Sequence, residues 1–126
     1  LKQLDKRKQA DVLVLPFWKD KQTAKFAASL EEDVARILTT VLGTEDFKGK
    51  EGEILYLYTD SQPEKRICLL GLGVPEKLTV ESLRRSYGGL TKSCLAKRLK
   101  SLNLIIPQQE KLKEEDLLKG IAEGLL

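Results

Sequence analysis

Two carboxylate triplets, Glu31-Glu32-Asp33 and Glu114-Glu115-Asp116, are the densest clusters of metal-ligating side chains in this sequence. A divalent cation held by oxygen ligands alone is the chemistry such a grouping would support. Each triplet, however, opens a helical apolar pattern, where the helix dipole favours negative charge. That structural role accounts for both. The chain has no histidine, which removes Ser-His-Asp triads, Cys-His pairs and every zinc site that uses imidazole. The two cysteines, Cys68 and Cys94, fall inside expected elements and lack metal-ligand spacing, so they read as reduced thiols of a cytosolic interior. No catalytic, cofactor-binding or metal-binding residue is assigned on this chain.

Glycines and cations offer a second chemistry. Gly71-Leu72-Gly73 follows an apolar run, and glycines at such a place let phosphate approach backbone N–H groups. The dinucleotide pattern fails at its third glycine, where Glu76 stands, and Pro75 occupies the turn. Gly49-Lys50 is followed by Glu51 rather than Ser or Thr, so it is no phosphate-binding P-loop. Lys2, Lys6, Arg7 and Lys8 crowd the start, while Arg84, Arg85, Lys92, Lys97, Arg98 and Lys100 decorate one later segment. These could contact nucleic-acid phosphates. With one Trp, three Tyr and three Phe, none interleaved with those charges, base stacking has little support and a solvated helix face is favoured. Phe17 and Trp18, at the end of an apolar run, read as core or interface residues.

The elements that must hold these groups follow from periodicity. The run 11–18 is nearly continuous, apolar and rich in β-formers, and predicts an interior strand covered on both faces. Ala27, Leu30, Val34, Ile37 or Leu38, and Val41 recur at helical spacing, with Ser29 and Glu32 as a capping box and Gly43 as the terminator. Residues 47–52 predict a turn, and residues 53–58 a strand. The seven residues 59–65 are too few for a crossover helix, so the strand 66–70 returns antiparallel and the sheet is mixed. Thr79 caps a second helix through Val80, Leu83, Tyr87, Leu90 and Cys94, and its Gly88-Gly89 pair predicts a kink or a close approach to the sheet. Residues 102–107 predict another buried strand, and the last helix opens on its acidic triplet. The order is β-α-β-β-α-β-α, with a clipped strand expected before residue 5.

At 126 residues the chain suits one domain with one core. A net charge of +3 is mild and describes a soluble surface. The longest apolar runs, 12–18 and 67–74, are far shorter than the ~20 residues of a membrane span. The charged start reads as no signal peptide. With no methionine, Leu1 is expected to be an internal residue, and the pattern Leu117, Leu118, Ile121, Ala122, Leu125, Leu126 to be a helix cut by the end of a fragment.

Four stretches in this order, 10–16, Asp46-Phe47-Lys48-Gly49-Lys50-Glu51-Gly52-Glu53, 65–73 and Ala122-Glu123-Gly124-Leu125-Leu126, resemble the N-terminal domain of the leucine aminopeptidases, the cytosol aminopeptidase or M17 family. The resemblance spans nearly the whole chain. It implies a macro-domain-like, three-layer α/β fold with a mixed sheet flanked by helices. It also implies a cytoplasmic metallo-exopeptidase that removes N-terminal residues, often leucine, from peptides. Two divalent ions, zinc or manganese, would activate water through lysine and carboxylate ligands in a C-terminal catalytic domain that follows this one. The partners implied are that catalytic domain, peptide substrates and the other subunits of a homo-hexamer, with no membrane. On this reading the chain supports assembly and access to the active sites. Two other readings stand beside it: a nucleotide or ADP-ribose pocket near Gly71 and Gly73, and a DNA-binding attachment, since some bacterial relatives bind DNA.

Overall fold

The computed structural model describes residues 9–19, 32–60 and 63–126. Every residue of strand β1 (Val12–Phe17) is buried, as a strand covered on both faces requires. Successive side chains point to opposite faces. Val12 and Val14 pack with Leu83, Tyr87 and Leu90, whereas Leu13, Leu15 and Phe17 pack with Val34, Leu38 and Phe47. One strand therefore joins two apolar layers.

The remaining elements are helix α1 (Glu32–Leu42), strands β2 (Ile54–Tyr58) and β3 (Arg66–Gly71), helix α2 (Val80–Ala96), strand β4 (Leu102–Leu104) and helix α3 (Glu114–Leu125), with a 3-10 turn at Pro75–Lys77. The sheet runs β2-β3-β1-β4. β1 is parallel to both β3 and β4, and β2 is antiparallel to β3. Helix α1 covers one face and α2 with α3 the other, giving the mixed, three-layer α/β architecture expected from the sequence.

In α1, Val34 and Leu38 enter the core while Ile37 is 42% exposed, so Leu38 is the buried member of that pair. Gly43 donates to the Thr39 carbonyl at 3.1 Å and closes the helix. The expectations for residues 1–8, Ala27, Ser29, Leu30 and Glu31 lie outside the described residues.

β4 is shorter than its apolar run, and Pro16 explains why. Ile105 donates to the Val14 carbonyl, so the even-numbered residues of β1 face β4. Pro16 is next in that row and has no N–H, so the ladder ends at the Val14–Leu104 pair.

Helix α2 begins with a complete capping box: the Thr79 side chain accepts from the Ser82 N–H, and the Ser82 side chain accepts from the Thr79 N–H. The Gly88-Gly89 pair neither breaks the helix nor meets the sheet. The close approach is to α3, which runs alongside α2 in the same direction. A Cβ on Gly120 would lie 2.9 Å from the Leu83 Cβ, and one on Gly124 would lie 2.8 Å from both the Arg84 carbonyl oxygen and the Tyr87 Cβ. A Cβ on Gly88 would lie 3.7 Å from the Gly124 carbonyl oxygen, and the Thr91 hydroxyl donates to that carbonyl at 3.3 Å. Glycines on α3 thus let two helix backbones touch.

Candidate functional site

In sheets with parallel strands, ligands gather outside the carboxyl ends of those strands. Here that edge carries an open cleft of about 460 Å³, lined by Trp18 after β1, Pro75 and Glu76 after β3, and residues 108–111 after β4. Its loops are tied internally. Lys111 Nζ donates to the Glu76 carbonyl at 2.5 Å, and Gln109 both donates to the Leu112 carbonyl and accepts from the Leu112 N–H. Trp18, read from the sequence as a core or interface residue, lines this cleft and also packs against the α2–α3 core layer. The cleft itself was invisible in the sequence because three separated loops build it. Among the described residues no Ser, Thr, Cys or Tyr lines it, so none of them brings a hydroxyl or thiol nucleophile to a base there.

The Gly71-Leu72-Gly73 segment adjoins this edge, but its N–H groups point elsewhere. Gly71 donates to the Glu53 carbonyl at 2.8 Å, Leu72 to Phe17 at 2.8 Å and Gly73 to Gly49 at 2.9 Å. A phosphate would find these three donors already spent. The glycines are needed for a backbone crossing. A Cβ on Gly71 would fall 2.1 Å from the Lys50 carbonyl oxygen, and Gly73 has φ +82°. The Phe47-to-Glu53 segment is the other half of that crossing. Phe47 is buried and meets Phe17 edge to face at 5.6 Å between ring centroids. Gly49 and Gly52 have φ 79° and 82°. The Glu53 carboxylate accepts from the Lys48 and Lys50 N–H groups at 3.0 and 3.1 Å. The part of the sequence that carries the family resemblance is therefore a structural clasp.

Half of the basic row along and just after α2 is engaged. Arg84 reaches Glu81 in its own helix and Glu123 in α3, while Arg85 donates to Glu51 at 3.0 Å. Hydrogen bonding to Glu123 holds the Arg84 guanidinium above its ordinary range, and Arg84 in turn holds the Glu123 carboxyl below its own. Lys97 Nζ sits 4.7 Å from the centre of the Tyr56 ring. These contacts leave Lys92, Arg98 and Lys100 as the exposed remainder of the row. Lys2, Lys6, Arg7 and Lys8 lie outside the described residues.

Glu114, Glu115 and Asp116 occupy the first turn of α3, the position the helix dipole favours. Glu31 and the Asp33 side chain lie outside the described residues. Among the described residues no group of three or more His, Cys, Asp or Glu side chains is placed to hold a metal ion. The donor set of the described residues does not fit the paired divalent ions implied for the family. Both thiols are free and buried. Burial, with Cys94 adding to it, pushes the Cys68 thiol up to about 12. Tyr56 OH shares a hydrogen bond of 2.9 Å with Ser93 Oγ, and burial raises its phenol above the usual tyrosine range.

Two polar groups were missed by sequence reasoning. Asp11 accepts from the N–H groups of Lys100 and Ser101 at 2.7 and 3.2 Å, and the Lys100 contact leads in holding its carboxyl below the usual range. Glu64, flanked by Pro63 and Lys65 and so legible only as a solvated turn, is fully buried and accepts from Asn103 Nδ2 at 2.7 Å. Both tie the amino ends of β1, β3 and β4 together.

These features define a macrodomain-like three-layer α/β domain whose glycine loops are structural. Residues 14–126 match the cytosol aminopeptidase family, N-terminal domain. The chain belongs to that family. It is 50% identical over 123 residues to a probable cytosol aminopeptidase of Protochlamydia amoebophila, covering 98% of this chain and 24% of that protein. A probable cytosol aminopeptidase of Chlamydia abortus is 34% identical over 124 residues, covering 96% of this chain and 24% of that protein. The chain thus spans about a quarter of the length of these relatives. Among solved structures, the bottromycin maturation enzyme BotP has a TM-score of 0.66 at 14% identity, covering 92% of this chain and 22% of that one. BotP is also known in complex with Mn, at a TM-score of 0.65. The macrodomain of Thermus aquaticus DarG has a TM-score of 0.64 at 13% identity, covering 92% of this chain and 82% of that one. These structural likenesses bear on the fold alone.

Proposed function

We propose that this chain is the non-catalytic N-terminal domain of a cytoplasmic, metal-dependent aminopeptidase that prefers N-terminal leucine. The family match over residues 14–126 carries the reading, since the relatives are named as probable cytosol aminopeptidases and the chain corresponds to a quarter of their length. In that protein the ligands of the catalytic domain would hold two divalent ions, zinc or manganese, whose chemistry would be the activation of water. This chain's own groups build a rigid body: the 47–53 clasp, the Gly120 and Gly124 helix contact, and the Arg84 bridge. A rigid body of this kind supports hexamer assembly and shapes the approach of peptides to the active sites.

The test uses the longer protein. Supplied with Zn²⁺ or Mn²⁺, it should release leucine from Leu-Gly peptides faster than it releases glycine or glutamate from the matching peptides. Chelation should abolish turnover, and sedimentation should give the mass of six subunits. Peptide cleavage that survives exhaustive chelation would refute the metal dependence, and a monomeric or dimeric active enzyme would refute the hexamer.

A further inference from the structure

Among the described residues the β2 edge of the sheet is open. β2 pairs only with β3 among the described strands, in the register Ile54–Leu70, Leu55–Leu69, Tyr56–Cys68, Leu57–Ile67 and Tyr58–Arg66. Thr59 N–H donates to Lys65 and Gly71 N–H to Glu53, which fixes the phase of the ladder. Residues 53, 55, 57 and 59 turn their N–H and C=O groups toward β3, so those of Ile54, Tyr56 and Tyr58 point outward. Among the described residues no backbone hydrogen bond reaches them from the open side.

Soluble proteins usually blunt such an edge with lysine, proline or a bulge. A bulge, Gly52 and Glu53 opposite Gly71, precedes this strand, but its five residues Ile-Leu-Tyr-Leu-Tyr contain no lysine, proline or bulge and leave Tyr58 61% exposed. We propose that the β2 edge pairs with the β2 edge of a second copy of this chain, antiparallel about a twofold axis through Tyr56. The strand is complementary to itself in that register. Tyr56 faces its own counterpart and Ile54 faces Tyr58, which aligns all three outward-pointing residues for about six hydrogen bonds. Leu55 then faces Leu57 on the α1 side, and both belong to the apolar layer there. At the strand ends Glu53 meets Thr59, so no like charges oppose each other. The Glu53 carboxylate is also turned back onto the Lys48 and Lys50 N–H groups, away from the joint. A strand of five residues buries little area, so the pairing is weak and concentration-dependent. It is argued from the strand alone and stands apart from the peptidase reading.

Sedimentation equilibrium of the chain over a wide concentration range tests it. The average mass should climb from 14.2 kDa toward twice that value. Over the same range, amide exchange at Ile54, Tyr56 and Tyr58 should slow at least tenfold, with Leu55 and Leu57 unchanged. Tyr58→Pro removes an outward N–H without touching the β3 ladder and should stay monomeric with an unchanged far-UV spectrum. Tyr58→Lys, which keeps the backbone donor but places a charge beside Ile54, should weaken the pairing and covers the case in which the proline variant fails to fold. A wild-type chain that stays at 14.2 kDa at millimolar concentration overturns the proposal. So does a dimer that persists in both variants, or one that leaves the three amides unprotected.

Discussion

Gly71 passes so close to Lys50 that a Cβ on the glycine would stand 2.1 Å from the lysine's carbonyl oxygen. The same glycine donates to the Glu53 carbonyl and accepts from the Gly52 N–H at 2.9 Å, so the end of β3 and the 47–53 turn are one structural unit. A methyl group at position 71 cannot be absorbed by rotating a side chain, because backbone blocks it. Gly71→Ala should therefore destabilise the chain by about 3 kcal/mol or more, read from the midpoint of urea unfolding.

The helix contact between α2 and α3 makes glycine substitutions differ in sign. Gly124→Ala should cost about 2 kcal/mol, because its Cβ would press on Arg84 backbone and the Tyr87 Cβ. Gly89, one residue past the contact, has nothing within 4 Å of an added Cβ. Gly89→Ala should raise stability by about 1 kcal/mol through helix propensity alone. Thermal unfolding of the two variants checks both signs together.

Acid should weaken the fold through specific carboxylates. Asp11 is held below its ordinary 3.8 chiefly by the Lys100 N–H, and Glu123 below its ordinary 4.5 chiefly by Arg84. A carboxyl with a depressed folded pKa contributes stability that is fully present above its unfolded value and is lost as pH falls through the folded one. Between pH 5 and 3 the urea midpoint of the wild type should therefore fall more steeply than that of Asp11→Asn or Glu123→Gln. Parallel curves would remove these groups from the account.

The two thiols should be silent in the folded chain. Cys68 is fully buried, its thiol is pushed up to about 12, and Cys94 is 4% exposed. Dithiobis-nitrobenzoate at pH 8 should react with neither until the chain is unfolded in denaturant, where both should react. Rapid labelling under native conditions would contradict this packing.

How much of this was legible in the sequence depended on what each residue does to a local pattern. β1, α1 and α2 were readable because branched and aliphatic residues recur at strand or helix spacing, and because Thr79 and Gly43 mark helix ends. The acidic opening of α3 was readable for the same reason. The partner of Gly88 was not, since a glycine carries no hydrophobic signal and its contact lies 36 residues away at Gly124. Pro16 shortens β4 by withholding one hydrogen bond, an effect that emerges only once the strand neighbours are known. Glu64 looked like a solvated turn residue because burial there comes from tertiary contact. The cleft below Trp18 draws on three loops far apart in the chain, so periodicity could not reveal it. The absence of histidine, by contrast, limited the chemistry before any fold was known.

On the proposed reading this chain shapes a peptidase whose chemistry resides elsewhere in the longer protein. Hydrolysis of leucine p-nitroanilide by the purified chain, with Zn²⁺ or Mn²⁺ added, tests it most directly. No turnover above a metal-only blank is expected, while the longer protein is active under the same conditions. Metal-dependent turnover by the 126-residue chain, lost on chelation and regained on adding the ion back, would contradict it.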